Sequence, residues 1–407
     1  MEKQKITIWS KRSCLVVIII IMSLAVVPGW TFIKKGVLSG GYKALPATAY
    51  ILLLPAAYFM SVFVHELGHF ISFIKNGIKV RALFLSIFLF NREENNWRLK
   101  ICPNSVTLLG GAAIPDVSAV KDKEEFEHLR SAYARVIAAG PTAAIAFYII
   151  VQLVAFPIFL QQENVFLQLF FSVISLYMSV ITVFLLLISM ADAETIIGDI
   201  PALHLCQANP SFAAMQMYQY SALSSNPDEV RRNSHYLREM ILKDIEKMLY
   251  RKDIGVVALN SLDIFIMEYL TGDSDNIPQV IMDYISMLMY SPAMRKKIPH
   301  SEVGTYLWFH VVILLSSMEA SREKALEEYD FLVNNIDLKD PMNSYLMRQA
   351  QHALGLADHS DYLSNRSNIR ASSAHGMWKY FEGYYSQEIK LNRFILSSIP
   401  CKDHCFI

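Results

Sequence analysis

Residues 65–69 read His-Glu-Leu-Gly-His. On a helix, positions i and i+4 share a face, so His65 and His69 can offer imidazole nitrogens to one metal ion. Glu66 sits beside that pair, where it can take a proton from water held by the metal. Zinc suits such a site: it accepts nitrogen and carboxylate ligands, and it lowers the pKa of its water to about 7. The expectation is one catalytic Zn2+, with Glu66 as general base and the water as nucleophile. A catalytic zinc also needs a third protein ligand and an open position.

The surroundings sharpen the pattern. From 47 to 74 the only ionisable side chains besides tyrosines are His65, Glu66 and His69. A single acid at the centre of a membrane helix costs about 2.5–3.5 kcal/mol on insertion scales, so such groups persist where they face a protein interior and serve it. The bland alternatives are a snorkelling cluster near a helix end or a polar contact between helices. Between 136 and 190 the only acid is Glu163, and there is no histidine. The first acid beyond is Asp192, in Ser189-Met-Ala-Asp-Ala-Glu194, and it is the expected third ligand. Glu194 and Asp199 compete for that role.

These residues need a scaffold, and the composition says which kind. Of 407 residues, 53% are hydrophobic and 18% charged, which is too apolar for an ordinary soluble chain. The net charge is zero, so nothing points to nucleic acid. The five cysteines, Cys14, Cys102, Cys206, Cys401 and Cys405, are scattered and form no disulfide framework. Four stretches reach the roughly 20 apolar residues of a membrane helix: 14–32, 47–74, 136–160 and 165–190. The first, after Lys3, Lys5, Lys11 and Arg12, reads as a retained span rather than a signal peptide, because it is long and no small-x-small cleavage site follows. The basic start, and the basic set Lys75, Lys79, Arg81, Arg92, Arg98 and Lys100 after the second span, put both termini in the cytoplasm. Lys34, Lys35 and Lys43 run against that orientation. Under it, the His65–His69 pair and Asp192 meet on the inner side.

The fold class expected is mostly α. It comprises a polytopic membrane core of about four spans with a short β-hairpin insert, and a C-terminal soluble α-helical domain. The domains expected are 1–45 (cytoplasmic segment and first span), 46–204 (membrane-embedded core) and 205–407 (helical, cytoplasmic). The apolar run 80–90, the polar turn 91–96 and the stretch 97–101 read as a hairpin of strands, with a short interfacial helix as the alternative. Leu109-Gly110-Gly111 reads as a flexible turn, and 121–130 as the polar start of the third span's helix. Later helices are expected at 228–250, 254–269, 279–290, 301–318 and 322–335, with no regular repeat. A domain of that kind binds partners or regulates more often than it catalyses. The tail Cys401-Lys-Asp-His-Cys405 is too short a cluster to read as a metal site.

With these pieces in place the sequence resembles the site-2 protease family of intramembrane zinc metalloproteases. Three features carry the resemblance, in order. They are His65-Glu66-Leu67-Gly68-His69, then Ala138-Ala-Gly-Pro-Thr-Ala-Ala144, similar to the family's Gly-Pro segment, then Leu185-Leu-Leu-Ile-Ser-Met-Ala-Asp192, similar to the segment ending in the aspartate ligand. The resemblance covers roughly residues 47–200. It departs at Ala144, where the family often has asparagine, and at Ala193, where glycine usually follows the aspartate. It implies peptide-bond hydrolysis within or beside the bilayer, on a membrane-anchored protein or a peptide precursor, with an inserted strand pairing to the locally unwound substrate. The compartment expected is a prokaryotic plasma membrane. A catalytically silent relative that binds membrane proteins, and a proton relay through buried His and Glu, are the competing readings. The partners expected are the substrate, the lipid bilayer and a protein for the C-terminal helices; no residues are assigned to substrate binding.

Overall fold

The computed structural model describes residues 9–93, 96–102, 110–160, 164–192, 197–372 and 382–398. Helix α1 (Lys11–Thr31) starts where the Ser10 side chain accepts the Ser13 N–H, and it runs on as a wider π-type coil over Phe32–Leu38. Helix α2 spans Ala47–Lys75, α3 Lys123–Leu160 and α4 Val165–Ser189. All four are long and apolar enough to cross a membrane. Large aliphatic side chains such as Ile51, Leu52, Leu153 and Val180 point outward from α2, α3 and α4. In water so much exposed apolar surface would be a liability; lipid covers it without cost. The chain is an integral membrane protein.

α4 is the inner helix, packed against both α1 and α2. Some of its polar residues bond across to the neighbouring helices. Tyr148 of α3 donates to the Ile21 carbonyl at 3.2 Å and shares a hydrogen bond with Ser179 of α4 at 3.1 Å, which ties three helices at one point. The third span's helix starts at Lys123, so the charged stretch 121–130 is largely its first turns.

The insert is a four-stranded antiparallel sheet in the order β3-β2-β1-β4, rather than a single hairpin. Its strands are β1 (Val80–Leu85), β2 (Phe88–Glu93), β3 (Asn96–Ile101) and β4 (Gly111–Pro115). The apolar run 80–90 is two strands because Ser86 takes a positive φ of 54° and reverses the chain, leaving Leu85 opposite Phe88. Gly111 is strand, not loop: it pairs with Leu85. The sheet packs on α2, with Phe88 edge-on to Phe59 and Trp97 against Phe70.

The chain divides into two units: residues 1–116 with 127–210, and 117–126 with 211–407. The second is an irregular helical bundle. Its described helices are α6 (Pro210–Ser221), α7 (Pro227–Arg232), α8 (His235–Arg251), α9 (Val256–Leu270), α10 (Gln279–Tyr290) and α11 (Pro292–Arg295). They continue as α12 (Glu302–Ser316), α13 (Arg322–Val333), α14 (Pro341–Ala353), α15 (Ser360–Ser364), α16 (Arg366–Ser372) and α17 (Glu382–Ser398). α12 is buried on almost every face and packs on α9, α13 and α14. The expected helix 228–250 is broken at Asn233-Ser234, where Ser234 turns its hydroxyl to the Val230 carbonyl and also accepts the Val120 N–H. Helix α5 (Asp199–Ala208) belongs to the first unit. The tail Cys401–Cys405 lies outside the described residues.

Candidate metal centre

His65 and His69 stand one turn apart on α2, their rings edge-on with centroids 4.9 Å apart and their Nε2 atoms 3.2 Å apart. Both side chains are largely buried. The Val136 carbonyl on α3 lies 2.8 Å from His69 Nδ1. A carbonyl can only accept, so Nδ1 carries the hydrogen and Nε2 is the nitrogen left to hold a metal.

α3 can supply that carbonyl because it lies unusually close to α2. A Cβ on Gly68 would come within 2.6 Å of the Ala139 carbonyl oxygen and 2.7 Å of Ala143 Cβ. A Cβ on Gly140 would overlap the His69 ring itself. The motif's own glycine and that of Ala138–Ala144 are therefore two halves of one close contact.

The third member is Asp199. Its Oδ2 lies 3.1 Å from His65 Nε2 and its Oδ1 3.7 Å from His69 Nε2. It arrives there because the chain doubles back after α4. Asp192 and Ile197 form an isolated antiparallel bridge, and the Gly198 N–H donates to the Ala191 carbonyl at 2.9 Å. That return brings Gly198 so near the end of α4 that a Cβ would sit 2.6 Å from the Ser189 carbonyl oxygen. Ser189 in turn donates to Asp199 Oδ2 at 3.0 Å.

Asp192 does not join the histidines. Its carboxylate is 3.7 Å from Lys11 Nζ, with 58% and 65% of the two side chains exposed. An exposed pair of that kind is worth about 0–1 kcal/mol. The strand-like return after Asp192 directs the earlier acid outward and the later one inward. Glu194 lies outside the described residues.

Glu66 is buried against the sheet. A Cβ on Gly111 would stand 2.9 Å from Glu66 Cδ, and the Ala113 backbone N–H lies near the Glu66 carboxylate. β4, whose first residue, Gly111, reads as part of a turn in the sequence, thus lies against the acid of the motif. Its only sequence signal was the paired glycines at 110 and 111.

The donor set fits a zinc ion. The ligand atoms of His65, His69 and Asp199 all lie within 4.8 Å of one another. Two tetrahedral ligands at about 2.0–2.1 Å from a common zinc stand about 3.3 Å apart, which the Nε2–Nε2 spacing matches. Lone pairs converging at that distance in a buried place repel each other unless a cation or a proton lies between them.

Residues 54–316 match the sequence profile of peptidase family M50. The chain belongs to that family. Members of M50 are zinc-dependent intramembrane proteases, so the chain is a protease of the membrane. The match begins within α2 and ends at the last residue of α12, so M50 character extends past residue 200 into the helical unit. Comparisons with curated proteins and with solved structures gave no match.

Proposed function

We propose that this M50 protein is an intramembrane zinc metalloendopeptidase that cleaves a membrane-anchored protein or a peptide precursor. The observation that carries the reading is the convergence of His65, His69 and Asp199 beside Glu66, which is buried against Gly111 of β4. In this reading His65 and His69 hold zinc through Nε2, and Asp199 takes the role expected of Asp192. Zinc, when bound, polarises a scissile carbonyl and makes water available as a nucleophile near neutral pH.

The chain's own residues do the rest. Glu66 takes a proton from the attacking water and returns it to the leaving amide nitrogen. Val136 keeps His69 in one tautomer, and Ser189 orients Asp199. β4 ends the sheet and touches Glu66, so an unwound substrate segment added along it would bring its carbonyl to the base. The enzyme sits in a prokaryotic plasma membrane with both termini cytoplasmic, as the basic residues after α2 favour.

A second reading, a silent protein that binds membrane partners through the same core, draws on Ala144. That residue is 4% exposed where the family often carries asparagine. The buried and oriented Glu66, for which a mere binder has no need, favours catalysis.

The test is reconstitution in proteoliposomes with single-span protein substrates. The unmodified chain should cleave, and Glu66→Gln should lose about 10²–10⁴-fold in rate while still binding zinc. Undiminished cleavage by Glu66→Gln would sink the assignment.

A further inference from the structure

The helical unit contains a cavity of about 420 Å³, a size typical of small-ligand sites. Four carboxamides line it: Gln216 and Gln219 of α6, Asn260 of α9 and Gln387 of α17. None of the four side chains hydrogen-bonds another described residue. Elsewhere in the unit amides are used: Gln349 bonds Tyr345, Glu388 and Asn392. All four are half-buried, so their donors and acceptors face whatever fills the cavity.

One guanidinium also lines the cavity. Arg231 of α7 donates through Nε to Ser221 at 3.3 Å, and among the described residues its two terminal nitrogens make no ion pair. The acids nearby are spent. Of the acids whose charge reaches Arg231, Glu268 accepts from Tyr218 and from Arg238 Nε at 2.8 Å, and Asp228 and Asp273 both hold Lys390 Nζ, at 2.9 and 3.1 Å; Asp263 in the cavity lining holds His310 Nδ1 at 2.7 Å. The fork of a guanidinium matches a carboxylate in two parallel hydrogen bonds. Apolar side chains, among them Leu223, Ile264 and Met267, complete the wall.

We infer that this cavity binds a short peptide segment, with a carboxylate against Arg231 and main-chain amides against Gln216, Gln219, Asn260 and Gln387. A carboxamide offers one donor and one acceptor side, the same pair that a peptide bond presents, so four of them suit an extended backbone. The carboxylate is either a chain terminus or an acidic side chain. The site is separate from the metal centre and does not depend on zinc.

The test is affinity selection by mass spectrometry on the full chain in nanodiscs. The probe is an equimolar pool of N-acetylated tetrapeptides, in free-acid and C-terminally amidated forms, with and without one glutamate. The expected result is retention of carboxylate-bearing members; free acids alone identify a terminus, and amidated glutamate peptides a side chain. Arg231→Met should lower retention about tenfold or more, as loss of a charged hydrogen-bond partner does. Gln387→Leu and Asn260→Leu guard against misfolding: neither removes an internal hydrogen bond, so both should keep the thermal midpoint and still weaken retention. Retention of no peptide, of lysine-bearing peptides alone, or of the same peptides by Arg231→Met would overturn the inference.

Discussion

Asp199 Oδ2 lies 3.1 Å from His65 Nε2, and the same oxygen accepts the Ser189 hydroxyl at 3.0 Å. The last residue of α4 thus orients the first residue of α5 toward a histidine of α2.

Ser189→Ala should therefore weaken zinc without removing a ligand. Loss of an outer partner typically costs about 10–100-fold in metal affinity. Competition with a zinc-chelating dye measures it. An unchanged affinity would mean that the return loop alone, through the Gly198–Ala191 hydrogen bond, positions Asp199.

Two glycines separate metal binding from catalysis. At Gly140 an added Cβ overlaps the His69 ring, so Gly140→Ala should displace a ligand and reduce both bound zinc and cleavage. At Gly111 the added Cβ presses on Glu66 and stands 2.7 Å from the Phe84 carbonyl oxygen. Gly111→Ala should keep zinc and lose about 10²-fold in rate, the order of effect of a misplaced catalytic group. Equal zinc loss in both would show that the two positions are not divided in this way.

The helical unit carries its own pH dependence. Burial alone would lower the pKa of His310, but the charge and hydrogen bond of Asp263, with Glu388 nearby, hold it above the usual histidine value. A group raised in the folded state stabilises fully below its unfolded pKa, about 6.5, and that contribution is lost as pH rises through the folded value. Thermal melts should show the unit becoming less stable as pH climbs above about 6.5. Asp263→Asn should flatten the decline; an equal slope in the variant would assign it to other groups.

Much of this was legible in the residues. The His65–His69 spacing and the bare apolar stretch around it gave the helix and its shared face, because both depend on local period alone. The four long helices followed from length and hydropathy. What escaped depended on contacts distant in sequence. Gly111 reads as a turn until Leu85 pairs with it. Ser86 breaks an apolar run by a backbone choice that composition does not record. Asp192 and Asp199 are the same residue type on one connection, and the bridge between Asp192 and Ile197 decides which faces inward. The break at Asn233-Ser234 escaped for a similar reason: Ser234 is held by Val120, far away in the chain.

Elemental analysis of zinc in the purified, folded protein tests the central claim most directly. The account predicts one zinc per chain, kept in Glu66→Gln and in Asp192→Ala and lost in Asp199→Ala. A folded, unmodified chain without zinc, or loss of the metal in Asp192→Ala but not in Asp199→Ala, would contradict it.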